Sequence, residues 1–479
     1  MHNVKSKKVL SAACAIFLAA ALACGALRAS AQQSGLPNAP ASHLRAALQT
    51  GSAPQMPALA PAAQGQPATA GATGPALTIA QAEQMAIRSN PNISVARLLA
   101  LAQAQVTREV RSVEMPMAVG SLTAVGAHQD SRITAGALVN PTIYDRAAGG
   151  LAVSQLITDF GRTHNLVLSA RSTARAQLES ERATELDITL TVDQAFYQAL
   201  TAQAVLKVAQ WTVAQRQMTD DQVTALTKSK IRSELDQSFA DVQLSQAKLL
   251  LLDAESNAQA AMAALNNVLG SELNQQYTLV DETSKSPQLA PEDAEAMVQS
   301  AFQDRPDLAS LNDQSLAARQ FSTAQRDLWM PTVSATAAVG SSPVRADQIQ
   351  SSWYGTAGGN INIPVFNGFL YNAQGKEAKL RAQAAQENVR NLRDIIARDV
   401  RTAVLNAQAA YQRISVTQQL LDQSNLALDL ATARYQIGLS SIVEISQAQL
   451  NQTQAEIDNT NARYSYQTAL SVVRYEIGQ

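Results

Sequence analysis

The chain is short of most of what catalysis and metal binding use. Its two cysteines, Cys14 and Cys24, fall within the first 31 residues, and only His43, His128 and His164 lie beyond them, far apart. Those counts exclude a His/Cys zinc cluster and a Cys–His catalytic pair after residue 31. No Ser/His/Asp order, Gly-rich phosphate loop or metal spacing is present, so no catalytic residue, metal or cofactor is assigned and the chain is not read as an enzyme. Aromatics make up 4% of the 479 residues, too few for an aromatic-rich globular core, and the formal charge of −2 argues against bulk nucleic-acid binding. After residue 31 no run of about 18 apolar residues occurs, so no transmembrane helix is expected there. Any passage through a membrane would be made by strands.

What is present begins with Lys5, Lys7 and Lys8 ahead of an apolar run from Val9 to Leu27 that ends at Ala29-Ser30-Ala31. This reads as a signal peptide over residues 1–31, cleaved after Ala31. A membrane anchor helix and lipid attachment at Cys24 are the alternatives. Cleavage removes four basic residues and no acid, leaving 33 basic against 39 acidic and a net charge of −6. Residues 32–76 hold seven prolines among Ala, Gln and Gly, a composition that predicts a disordered tether.

From residue 77 the chain is written twice, as repeats 77–288 and 289–479. Ala82-Glu83-Gln84-Met85 recurs as Ala294-Glu295-Ala296-Met297, Asn90-Pro91-Asn92-Ile93 as Arg305-Pro306-Asp307-Leu308, and Met115-Pro116 as Met330-Pro331. Gly149-Gly150 recurs as Gly358-Gly359 and Gly161 as Gly368, with offsets from 207 to 215 overall. A repeat of this length is a tandem duplication rather than a solenoid period.

Each copy holds a long helical stretch. Residues 162–269 contain neither Gly nor Pro, and residues 369–477 contain only Gly375 and Gly438. Ile188, Val192, Ala195, Ala199, Ala202, Leu206, Ala209 and Val213 are spaced 4, 3, 4, 3, 4, 3, 4, the seam of a coiled coil. The second copy repeats the seam 208 residues later, from Ile396 to Leu421. Alanine at so many seam positions predicts close helix packing. Each run is expected to turn once, at Lys228–Ser233 and at Gly438–Ile442. A helix from 162 to about 227 would span roughly 100 Å, so two such hairpins would need partners from other subunits.

Between the helical runs, Val119–Ala127, Leu151–Ile157, Thr332–Val339 and Asn360–Val365 are expected as strands. The second-copy pair alternates apolar and polar residues with period two, which suits one lipid face and one wet face as well as an ordinary soluble sheet. Four strands do not close a barrel, so a lipid-exposed sheet would have to be shared between chains. An exported coiled-coil fibre or spacer, or a periplasmic adaptor, would explain the heptads and the leader but not four strands set between two hairpins.

From about residue 77 the chain resembles the TolC family of outer-membrane efflux and secretion ducts. The likeness rests on the duplicated hairpin plan, on Arg305-Pro306-Asp307-Leu308, on Phe366-Asn367-Gly368 with its counterpart Asp159-Phe160-Gly161, and on Tyr435-Gln436-Ile437-Gly438 leading into Ser441-Ile442-Val443-Glu444. It implies a mainly α protein with membrane β: a homotrimer in which each protomer gives four strands to a 12-stranded outer-membrane barrel. Its long helices would form a periplasmic α-helical tunnel, with short helices near 78–89 and 292–303 in an equatorial belt. The implied partners are a periplasmic adaptor (membrane fusion) protein, an inner-membrane pump of RND, ABC or MFS type, and outer-membrane lipid of a Gram-negative cell.

The resemblance also assigns the helical turns. They would dock the adaptor through Gly438, Leu439, Ser440, Ser441, Lys230 and Ser233, and close the entrance with Glu444, Asp236 and Tyr435. Three copies of Glu444 and Asp236 would make an acidic, cation-favouring constriction. The chain departs from the family pattern at Ser440, where an arginine joins the closing network, and at Gln447, where a second acid completes the ring. It also carries Lys230 in place of a turn glycine. Lys228, Lys230 and Arg232 form a basic cluster, read as a solvated turn or as ion-pair partners of the adaptor or of Asp236 and Glu444 on neighbouring hairpins.

Overall fold

A computed structural model describes residues 74–126, 146–271, 275–281, 293–344 and 352–479. The expected signal peptide, Cys24, His128 and nearly all of the expected tether lie outside the described residues. The described elements are β1 (Ala76–Leu77), α1 (Ile79–Ser89), α2 (Pro91–Ser112), β2 (Met117–Val125), β3 (Arg146–Thr158), α3 (Arg162–Lys228), α4 (Glu234–Val268), β4 (Thr278–Leu279), α5 (Asp293–Asp304), α6 (Pro306–Arg326), β5 (Thr332–Val344), β6 (Trp353–Asn362), α7 (Leu370–Gln436) and α8 (Ile442–Glu476).

The long helices follow from the missing breakers and the heptad seam. α3 and α7 are 67 residues each, about 100 Å at 1.5 Å per residue, and α4 and α8 are 35 each. All four boundaries of the first hairpin recur in the second at an offset of 208. Along the seam Val192, Ala195, Ala199 and Ala209 are buried, as are Ile396, Val400, Ala403 and Ala407. Alanine there lets α3 pack along α4 and α8, and α7 along α8.

Two left-handed residues precede each long helix: Phe160 and Gly161 (φ 56° and 105°), then Gly368 and Phe369 (φ 62° and 65°). The sequence aligns Gly161 with Gly368, but the helices are in register at 208, which places Gly161 opposite Phe369. Two consecutive left-handed positions are what the chain needs, and Phe-Gly and Gly-Phe both supply them. Asp159 secures the first of these turns, accepting from the backbone N–H of Thr163 at 2.7 Å and of Gly161 at 3.3 Å.

The 35-residue helices cover only about half of their 67-residue partners. The short helices take up the remainder: α1 and α2 pack on α3, α5 on α7, and α6 on both α3 and α7. The repeated X-Pro motif forms the joint. Asn90 caps α2, accepting from Asn92 N at 2.9 Å, and its amide donates to Val268 O at 3.0 Å, at the end of α4. Arg305 stands in the matching place, bonded to Asp307 at 2.7 Å and to the carboxylate of Glu476 at the end of α8. Against burial, which lowers it, these two acids hold the Arg305 pKa above the ordinary arginine value. Each short partner helix then ends on a left-handed glycine, Gly270 or Gly478. A Cβ at Gly270 would stand 2.7 Å from Ser89 O, and one at Gly478 2.9 Å from Asp304 C, so backbone approach requires glycine at both.

The four long strands form one antiparallel sheet in the order β2-β3-β5-β6. The register sorts the side chains by face. Leu122, Leu151, Val153, Ala337, Val339, Trp353 and Ile361 share one side, while Ser121, Ser154, Ser334, Thr336, Thr356 and Asn360 share the other with Met117, Val119 and Leu156. The expected strand Asn360–Val365 holds only over Asn360–Asn362, because β6 runs Trp353–Asn362. β5 begins at Thr332, which pairs with Asn362, so β6 has no partner beyond Asn362. Pro331 and Pro364, which lack an N–H, flank that end. β2 and β6 are the two open edges of this sheet.

Candidate functional site: the two hairpin turns

Both hairpins turn through the same backbone device. After α3, Lys230 takes the left-handed conformation at φ 58°, with Lys230 N donating to Thr227 O at 2.9 Å and Ile231 N to Leu226 O at 2.9 Å. After α7, Gly438 takes it at φ 80°, with Gly438 N donating to Tyr435 O at 3.0 Å and Leu439 N to Arg434 O at 2.8 Å. This pair of bonds is the Schellman motif, which satisfies the last helical carbonyls. Lysine therefore does the work of the expected turn glycine, with a backbone penalty on the order of 1 kcal/mol relative to glycine.

The side chains then diverge. Ser233 and Asp236 form a capping box at the start of α4: Ser233 Oγ accepts from Asp236 N at 3.1 Å, and the Asp236 carboxylate accepts from Ser233 N at 3.4 Å. At the start of α8, Ser441 makes no side-chain capping bond. Glu444, in register with Asp236, pairs instead with Arg434 across its own turn at 3.2 Å, both partly exposed. Such an exposed pair contributes about 0–1 kcal/mol. The structure thus gives the two acids expected at the entrance separate local partners.

It brings Tyr435, Arg232 and Asp236 together. Arg232 reaches from the first turn to the second, where it donates to Tyr435 O at 2.8 Å and lies 4.2 Å from the centre of the Tyr435 ring. Burial raises the Tyr435 pKa above its ordinary value, opposed by Arg232 and aided by Asp236. Its hydroxyl is buried with no hydrogen-bond partner among the described residues. Beneath the contact, Val223, Ala240, Ala431, Ile442 and Ile445 form a small apolar core joining the hairpins. Lys228 and Lys230 are exposed and make no ion pair among the described residues. Ser440 Oγ donates to Ala431 O at 3.5 Å.

Beside Leu439, already expected at the docking tip, the turns expose three residues that motif matching missed: Ile231, Leu235 and Val443. Ile231 and Leu439 are 68% and 69% exposed, and Leu235 and Val443 are 65% and 52% exposed. Each pair is related by the 208-residue offset, so both turns present two large apolar side chains at equivalent places. The signal was available in the sequence, as apolar residues recurring in register within polar turns.

A family model described as outer membrane efflux protein matches residues 82–271 and 297–479. Outer membrane protein TolC of Salmonella enteritidis is 24% identical over 346 residues, covering 70% of this chain and 69% of that protein. Cation efflux system protein CusC of Escherichia coli K12 is 25% identical over 318 residues, covering 63% and 66%. The aligned stretches thus span about two thirds of each relative. The Campylobacter jejuni CmeC outer membrane channel superposes with a TM-score of 0.73 at 18% identity, over 84% of this chain and 85% of that one.

Proposed function

The chain belongs to the outer membrane efflux protein family, and from that premise we propose that it is the outer-membrane exit duct of a tripartite efflux or type I secretion system. The observation that carries the reading is the sheet with one predominantly apolar face, a second face that carries most of its Ser, Thr and Asn residues, and two open edges, joined to paired hairpins about 100 Å long. Open edges are not tolerated in lipid. Three protomers, pairing β6 of one with β2 of the next, make a closed 12-stranded barrel in the outer membrane. The apolar faces meet lipid and the polar faces line the lumen, while the hairpins continue the wall through the periplasm. Residues 1–31 serve as the export signal and 32–76 as a tether, followed by the two repeats.

The turns form the periplasmic entrance. Gly438, Leu439, Ser440, Ser441, Lys230 and Ser233, with the exposed Ile231, Leu235 and Val443, dock a periplasmic adaptor that links the duct to an inner-membrane pump. Contact between Arg232 and Tyr435 holds the two turns together in the closed entrance. Glu444, in three copies, favours cations there, offset in part by Arg434. The duct performs no catalysis, and choice of cargo rests with the pump.

Negative-stain electron microscopy of the detergent-purified chain tests this reading. Threefold particles with a stain-filled centre, and a shaft of at least about 100 Å, are expected. A solid rod, or a compact monomer soluble without detergent, overturns it. In planar bilayers Glu444→Ala is expected to lower the preference for cations.

A further inference from the structure

Behind the turns, α3, α7 and α8 enclose a cavity of about 480 Å³, and a second of about 420 Å³ runs from it toward the turns. The two share Thr219, Gln222, Thr432, Gln436 and Gln449, so they form one groove between the hairpins. Its ends differ in chemistry. The far end is walled mainly by hydroxyls and amides around Arg216, with Asp429 and Glu456 also on the wall, whereas the near end is walled by Val223, Leu226, Tyr435 and Ile445, with Arg232 beside them.

Arg216 is the unusual group. It is only 5% exposed, and among the described residues its side chain donates only to Thr453 Oγ1, at 3.5 Å, the outer limit for such a contact. Among the described residues it makes no ion pair. Burial alone lowers its pKa, to about 10, with no acid holding it up. Arg305 is the opposite case, partly buried but clasped by two carboxylates. A guanidinium offers five N–H donors, and a buried cation without an anion is unfavourable. Glu456, on the groove wall, already accepts from Gln452 at 3.2 Å.

We propose that this groove binds a carboxylate-bearing amphiphile, its head group on Arg216 and its apolar body along Val223, Leu226, Tyr435 and Ile445. A carboxylate matches the guanidinium in a two-pronged geometry, and hydroxyls and amides beside it supply neutral donors. An apolar body gains by leaving water for the near end of the groove. Because α3 belongs to one hairpin and α7 and α8 to the other, the occupant bridges both and favours the arrangement in which Arg232 meets Tyr435. The site goes beyond the duct reading and does not depend on it.

Equilibrium dialysis of labelled decanoate against the full chain in dodecyl maltoside, with protein-free micelles as the blank, tests it. Saturable decanoate binding is expected, with 1-decanol and inorganic phosphate each at least tenfold weaker. Arg216→Gln should weaken decanoate at least tenfold and bring it level with decanol. If that variant does not fold, Leu226→Asn, at the other end of the groove, should weaken decanoate several-fold, while Arg216→Lys should retain most of it. Phosphate binding as tightly as decanoate would make this a simple anion site and overturn the proposal. So would an absence of saturable binding, or decanoate binding indifferent to both positions.

Discussion

Copies one and two place the same residues in the same frame and then use them differently. Glu83 and Glu295 are repeat partners, and their neighbours on the long helices, Asp193 and Arg401, are related by the 208-residue offset. In the second copy Glu295 bonds Arg401 at 2.8 Å on an exposed surface. In the first copy Glu83 faces another acid, Asp193, which is 3% exposed. Burial and that neighbour push Glu83 up to about 7, and burial raises Asp193 as well. The turns diverge in the same manner, with a capping box in copy one and an ion pair in copy two. Duplication has therefore preserved backbone geometry, which both copies need, while leaving side-chain chemistry free to specialise.

Substitutions at matched positions can break this comparison. The largest effect is expected at the exposed apolar turns. Leu439→Asp should reduce efflux-dependent resistance in cells about tenfold or more, through loss of a desolvated apolar contact with a partner. Ile231→Asp should act in the same direction; equal growth of both variants and the wild type would remove the turns from docking.

Next come the two glycines under the joints. Gly270→Val and Gly478→Val each combine a left-handed backbone with a backbone clash, and each should lose at least about 2 kcal/mol of stability. Because the geometry is shared, the two losses should be similar in thermal denaturation. A loss in only one copy would show that the joints are not equivalent.

The acid pair of copy one predicts a pH effect. An acid whose folded pKa lies above its unfolded value loses its contribution to stability as pH rises between them. Between the ordinary 4.5 and about 7 for Glu83, the melting temperature should therefore fall as pH rises. Glu83→Gln should flatten that fall by several degrees. The smallest contrast is at the caps: Ser233→Ala should cost about 1 kcal/mol and Ser441→Ala close to nothing, measured by denaturant unfolding.

Much of the helical plan was legible because it is periodic. The alanine seam and the absence of Gly and Pro predict both long helices, and the 208-residue shift between seams is the one that relates the helix boundaries. The break in the second run and its match in the first marked where both hairpins turn. Less was legible where a backbone conformation can be met by unlike residues. Lys230 and Gly438 serve one left-handed position, and Phe-Gly and Gly-Phe serve another, so letter matching misaligned Gly161. The end of β6 depends on where β5 begins, a pairing that local alternation does not contain. The partners of Asp236 and Glu444 were hidden too, since a carboxylate's choice between its own helix end and a nearby arginine is decided by side-chain reach.

The equal helix lengths carry a consequence for how such a chain can change. The two turns are tied by Arg232 on Tyr435, and the far ends of α4 and α8 are tied to the short helices by Asn90 and Arg305. One added heptad in α3 alone would push its turn past that of α7 by about 10 Å, parting Arg232 from Tyr435. Insertions are therefore admissible only as matched sets across both copies, or in the loops away from the hairpins. Length in this molecule is inherited as a single shared dimension, while composition drifts independently in each half.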